Sequence, residues 1–126
     1  MRHERHYTFA QASAARAWVA QRLERMRSAI TELGHSDAQE ALSLIETETG
    51  GGFPGKSVAR ALLEMHKALE ELQEMDIVVR DVERGLVDFP SLRDGEEIYL
   101  CWLESEEDEI AWWHAPDAGF AGRQPL

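Results

Sequence analysis

The 126-residue sequence holds a single cysteine, Cys101. One thiol cannot close an internal disulfide, so the chain does not read as a cross-linked secreted framework. No apolar run approaches the ~20 residues needed to cross a bilayer. The charged opening Met1-Arg2-His3-Glu4-Arg5-His6 is followed by no apolar signal core, and the expected address is cytoplasmic, of bacterial type. Positive charge is also scarce. Thirteen Lys and Arg stand against 24 Asp and Glu, a net charge of −11. Such a surface repels polyanions, so neither nucleic acid nor an anionic membrane is expected as a partner. The few cations are unevenly spread: residues 1–35 carry six Lys or Arg and three Asp or Glu, and the remainder seven and twenty-one. This places a basic first helix against an acidic remainder.

A 44% hydrophobic content suits a folded domain, and the length suits one domain over residues 1–126. Thr8-Phe9-Ala10-Gln11 fits a capping box. Apolar residues then recur at Phe9, Ala12, Val19, Leu23, Met26, Ile30 and Leu33, with Arg16 interrupting, and Gly34 stops the run. Ser36 and Gln39 repeat the capping pattern ahead of a short helix that ends near Thr47. Ser57 is expected to cap a third helix, with Val58, Leu62, Met65, Leu69 and Leu72 as its seam. The first and third helices are expected to form a long antiparallel hairpin. Between them, Gly50-x4-Gly55-Lys56-Ser57 matches the short phosphate-loop pattern. No buried strand precedes it, and Pro54 removes a backbone donor, so nucleotide binding is not expected.

After Met75 the hydrophobic period changes from helical to two. Three strands are expected, over 77–83, 96–103 and 109–114, with Arg93-Asp94-Gly95-Glu96 as a turn. Gly85 is read as a bend and Pro90 as the end of any ladder. The expected fold is therefore α+β. Residues 1–76 form a helical scaffold, and residues 77–126 a small three-stranded antiparallel sheet with a C-terminal signature segment.

Val82-Glu83-Arg84-Gly85-Leu86-Val87-Asp88-Phe89-Pro90, Tyr99-Leu100-Cys101-Trp102 and Trp113-His114-x-x-Asp117-Ala118-Gly119-Phe120-Ala121-Gly122-Arg123-Gln124-Pro125-Leu126, with Tyr7-Thr8-Phe9 at the start, together resemble an uncharacterised bacterial family, domain of unknown function 2203. The resemblance covers nearly the whole chain and implies the outline above. It implies no activity.

Two functional readings follow from the residues. In the first, Glu83, Asp88, His114 and Asp117 supply three carboxylates and an imidazole, a donor set that suits a divalent metal. His114, Glu83 and Asp88 could also serve as general acid and base, while Arg123 and Asp117 contact a small ligand. The plain alternative pairs Glu83 and Asp88 with Arg84, Arg93 or Arg123 and has His114 bond a backbone carbonyl. In the second reading the protein is structural: a homo-oligomer that buries Val19, Leu23, Met26 and Ile30 against another copy, without catalysis. Cys101, set mid-strand between large apolar residues, is a poor nucleophile. The acidic run from Glu104 to Asp108 reads as a solvated hairpin tip.

Overall fold

The computed structural model describes residues 1–34 and 56–126. The expected short helix after Ser36 and the Gly50–Gly55 part of the phosphate-loop pattern lie outside the described residues.

Helix α1 spans Phe9–Leu33. Its capping box forms as the sequence predicts: Thr8 Oγ1 accepts from the Gln11 amide, and Gln11 Oε1 accepts from the Thr8 amide, at 3.1 and 2.9 Å. Helix α2 spans Lys56–Glu74, so Ser57 falls within the helix rather than capping it. The two helices run in opposite directions. Tyr7, at the start of α1, donates its hydroxyl to Met75 O beyond the end of α2, and farther along Arg25 pairs with Glu64.

Most of the expected stripe lies in the core, including Met65, Leu69 and Leu72 on α2, with small residues added to it. On α1, Ala12, Val19, Leu23, Met26 and Ala29 are buried, whereas Phe9 is exposed. On α2 the buried residues are Ala61, Ala68 and Leu72, while Leu62 and Leu63 face solvent. Alanines let two helix backbones approach closely. Val19, Leu23 and Met26 lie in the chain's own core, which corrects the expectation that they bury against another copy. No described helix is long and apolar enough to cross a membrane.

The sheet has five strands, not three. They are β1 (Val78–Asp81), β2 (Leu86–Arg93), β3 (Glu96–Leu103), β4 (Trp112–His114) and β5 (Gln124–Pro125). They form an antiparallel meander in chain order. The α+β class holds; the strand count does not. The overlooked β2 contains Pro90, which the sequence marks as a ladder terminator. Pro90 O accepts from the Tyr7 amide at 2.7 Å. Its nitrogen points to that same side, away from β3, at a place where β1 has already ended. The missing N–H therefore removes no bond to β3. Asp94 and Gly95, both at positive φ, form the two-residue turn between β2 and β3, as the Asp-Gly pair predicts.

One face of the sheet packs on the helices through Val87, Phe89, Ile98, Leu100 and Trp102. The opposite face carries Leu86, Cys101 and Leu103 in a separate cluster with Trp112, and it also carries Asp88 and His114. This second face is covered by the C-terminal segment, which includes a 3-10 turn at Phe120–Gly122 and ends in β5. The last amide, Leu126 N, donates to Ala111 O at 2.9 Å, so the tail is built into the fold.

Candidate functional site

The strand register assembles the site. Asp88 on β2 sits opposite Cys101 on β3, and Tyr99 on β3 sits opposite His114 on β4. Three neighbouring strands thus send an aspartate, a cysteine and a histidine to one place on the sheet's second face. All three are buried, and one ligating atom of each lies within 4.8 Å of the other two. Among the described residues this is the one group of three or more His, Cys, Asp or Glu so arranged.

The nitrogens of His114 and the oxygens of Asp88 all have partners. His114 Nδ1 lies 2.8 Å from Ala115 O, and Nε2 lies 3.0 Å from Asp88 Oδ1. An oxygen therefore lies beside each ring nitrogen. Arg80 Nε donates to Asp88 Oδ2 at 2.9 Å. Arg80 is the extra residue of a β-bulge, because the register slips between Val79 and Asp81. Bulges re-aim side chains, and here the bulge accompanies an arginine brought to the carboxylate.

Burial pushes the Cys101 thiol up to about 12. The nearby Asp88 charge adds to this, and the Arg123 hydrogen bond opposes it. Burial and Asp88 outweigh the Arg123 guanidinium, so the thiol keeps its proton and is a poor nucleophile, as its strand position predicts.

A cavity of about 330 Å³ opens beside the three groups. Its other lining residues are Arg80, Leu86 and the segment Pro116–Phe120. Asp117 belongs to that lining, but its carboxylate is 91% exposed and pairs with Arg2 at 2.6 Å. Arg123 is not a free anion clamp. It pairs with Glu107 at 3.1 Å, stacks between the rings of Trp112 and Phe120, and brings Nη1 to 3.9 Å from Cys101 Sγ. Glu83 is absent from the site. β1 ends at Asp81, residues 82–85 form a turn, and Glu83 lies exposed beside Glu24, Arg27 and Glu32. The acidic run is not simply solvated either: Glu107 Oε1 accepts from the Leu103 amide, and Glu104 pairs with Arg27.

Of the candidates named from sequence, the structure brings Asp88 and His114 together. It places Asp117 at the cavity rim, sets Arg123 behind Cys101 and puts Glu83 elsewhere. Sequence reasoning missed Arg80 and gave Cys101 no role as a ligand. It also missed the N-terminal arm. His6 Nε2 lies 2.8 Å from Glu97 Oε2, and His3 Nε2 lies 2.7 Å from the Tyr99 hydroxyl. Tyr99 in turn packs against His114, with ring centroids 5.4 Å apart. The only sequence signal for this was two histidines in a charged N-terminus.

The chain matches, over residues 5–126, the family described as uncharacterized conserved protein DUF2203, and it belongs to that family. No curated protein matches the chain, and no solved structure does.

Proposed function

We propose that this member of the family binds one divalent transition metal of the zinc class through Asp88, Cys101 and His114, with a fourth coordination position open to the cavity. The observation that carries this reading is the convergence of three buried ligating atoms within 4.8 Å. Carboxylate, thiolate and imidazole together suit such an ion, and three protein ligands with one open position is the usual catalytic arrangement. The supporting contacts are of the kind metal ligands use. The Ala115 carbonyl holds His114 Nδ1 and Arg80 holds Asp88 Oδ2, so Nε2 and Oδ1, which bond each other at 3.0 Å, are the atoms a metal would take. A cation would take the place of the hydrogen bond between His114 Nε2 and Asp88 Oδ1, and would turn the Cys101 thiol into a thiolate.

The test is metal analysis of tag-free protein, followed by substitution with cobalt. One equivalent of metal and a thiolate-to-cobalt absorption band are expected, with both lost in Cys101→Ser and His114→Ala. Folded protein that takes up no stoichiometric metal and gives no band would overturn the reading.

A second reading is self-association without catalysis. It is favoured by Leu62 and Leu63, which are 49% and 63% exposed on α2. Light scattering of the native protein beside Leu63→Glu tests it: a monomer in both refutes it.

A further inference from the structure

Taking the metal reading as its basis, we infer that the cavity beside Asp88, Cys101 and His114 admits a small monocarboxylate with an apolar body. The carboxylate spans the open metal position and the Arg80 guanidinium.

The charge balance points to a single negative charge. A divalent ion is neutralised by the Asp88 carboxylate and the Cys101 thiolate, with His114 neutral. Arg80 then contributes one positive charge at the cavity wall. The other charged groups nearby are paired, Asp117 with Arg2 and Arg123 with Glu107. Arg84, whose guanidinium lies 5.6 Å from the Phe120 ring centroid, is exposed and does not line the cavity, whereas Arg80, with its side chain 43% exposed, does.

The geometry of Arg80 selects the anion. Its Nε is committed to Asp88, and among the described residues its two terminal nitrogens have no hydrogen-bond partner. A planar guanidinium edge with free N–H groups fits the two oxygens of a carboxylate. The guanidinium also lies 5.3 Å from the Tyr99 ring centroid, which restricts its plane. The lining also includes apolar side chains: Leu86, Pro116 and Phe120. At about 330 Å³ the cavity lies at the small end of ligand pockets, with room for one ring or a short branched chain but not a nucleotide.

The experiment is calorimetric titration of metal-loaded protein with benzoate, its neutral isostere benzamide, and inorganic phosphate, with metal content measured on the same samples. Benzoate should bind saturably at one per chain. Benzamide should bind at least about tenfold more weakly, the scale of a lost charged hydrogen bond. With metal added to saturation and the loaded fraction measured, Arg80→Gln should weaken benzoate by a similar factor per metal-loaded chain, and Arg80→Lys should recover part of the loss. Ala118→Trp, which fills the cavity, should abolish binding while the metal stays.

Equal binding of benzamide, tighter binding of phosphate, or indifference to Arg80→Gln would overturn the inference. Full metal with no benzoate binding would overturn it and leave the metal reading standing. Protein that takes up no metal would overturn the metal reading, and failure of that metal-free protein to bind benzoate would overturn this inference too.

Discussion

His114 Nε2 lies 3.0 Å from Asp88 Oδ1, and each side chain is only 2% exposed. The contact joins β2 to β4 across β3, since Asp88 pairs with Cys101 and His114 with Tyr99. A buried aspartate beside a buried histidine is stable as a unit, because removing either leaves a polar atom of the other without its partner in the interior.

Removing one partner should therefore be costly in the metal-free protein. His114→Ala leaves the Asp88 carboxylate buried with Arg80 as its remaining charged donor, and a loss of about 3–5 kcal/mol is expected. Urea unfolding in the presence of a chelator measures it. Asp88→Asn combined with His114→Gln, which keeps shape without charge, should lose clearly less than either single alanine. A loss under 1 kcal/mol for His114→Ala, about the value of an ordinary surface change, would show that the pair is not a buried unit.

Cys101 should be silent toward thiol reagents. Burial first, and the Asp88 charge second, hold its pKa near 12, against Arg123, which lowers it. Folded metal-free protein at pH 8 is expected to react with a disulfide reagent only as fast as it unfolds, and the denatured chain to react at once. Prompt labelling of the folded protein would contradict the burial of Cys101.

Glu97 should make the protein acid-sensitive. Burial pushes its carboxyl up, but hydrogen bonds from His6 and from the Arg2 and His3 amides outweigh burial and hold it at about 2, below the ordinary 4.5. A lowered folded-state pKa stabilises above the unfolded value, so this contribution is complete above about pH 5 and is lost as the pH falls toward 2. Glu97→Gln is expected to be less stable than the parent at pH 7, with the gap closing near pH 3. Urea midpoints at the two pH values decide it: a gap that stays constant removes Glu97 from the account.

Gly85 and Gly95 separate backbone strain from collision. Both have positive φ, 72° and 80°. A Cβ at Gly95 would meet open space, whereas one at Gly85 would run into the Glu104 side chain that binds Arg27. Gly95→Ala should cost about 1 kcal/mol, the left-handed penalty alone. Gly85→Ala should cost more, because Glu104 must move and its pairing with Arg27 is disturbed. Equal losses in thermal unfolding would show that the collision relaxes freely.

What could be read in advance was local. The Thr8–Gln11 capping box and the Asp94-Gly95 turn were legible because their partners lie within a few residues. The α2 seam was legible at Met65, Leu69 and Leu72, but Leu62 faces solvent, and Ala61 and Ala68 went unnamed because they carry little hydrophobic signal. β2 was missed because Pro90 breaks a strand only when its nitrogen faces a partner, and that depends on where Tyr7 and β1 lie. Asp88 and His114 were named from their chemistry. Their meeting, and the exclusion of Glu83, required the strand register and the β-bulge at Arg80. The arm that brings His3 and His6 to Tyr99 and Glu97 joins residues more than ninety positions apart, and no short-range pattern encodes that.

The sequence by itself determined the α+β class, the change from helical to extended rhythm after Met75, and which side chains have site chemistry to offer. Each of these follows from residue type and spacing over a few turns or pleats. Only the tertiary structure decided which of those side chains meet. A strand has two faces, so a register slip or bulge of one residue moves a carboxylate from one side of a sheet to the other. Asp88, Cys101 and His114 share a site because three strands pair in one particular alignment.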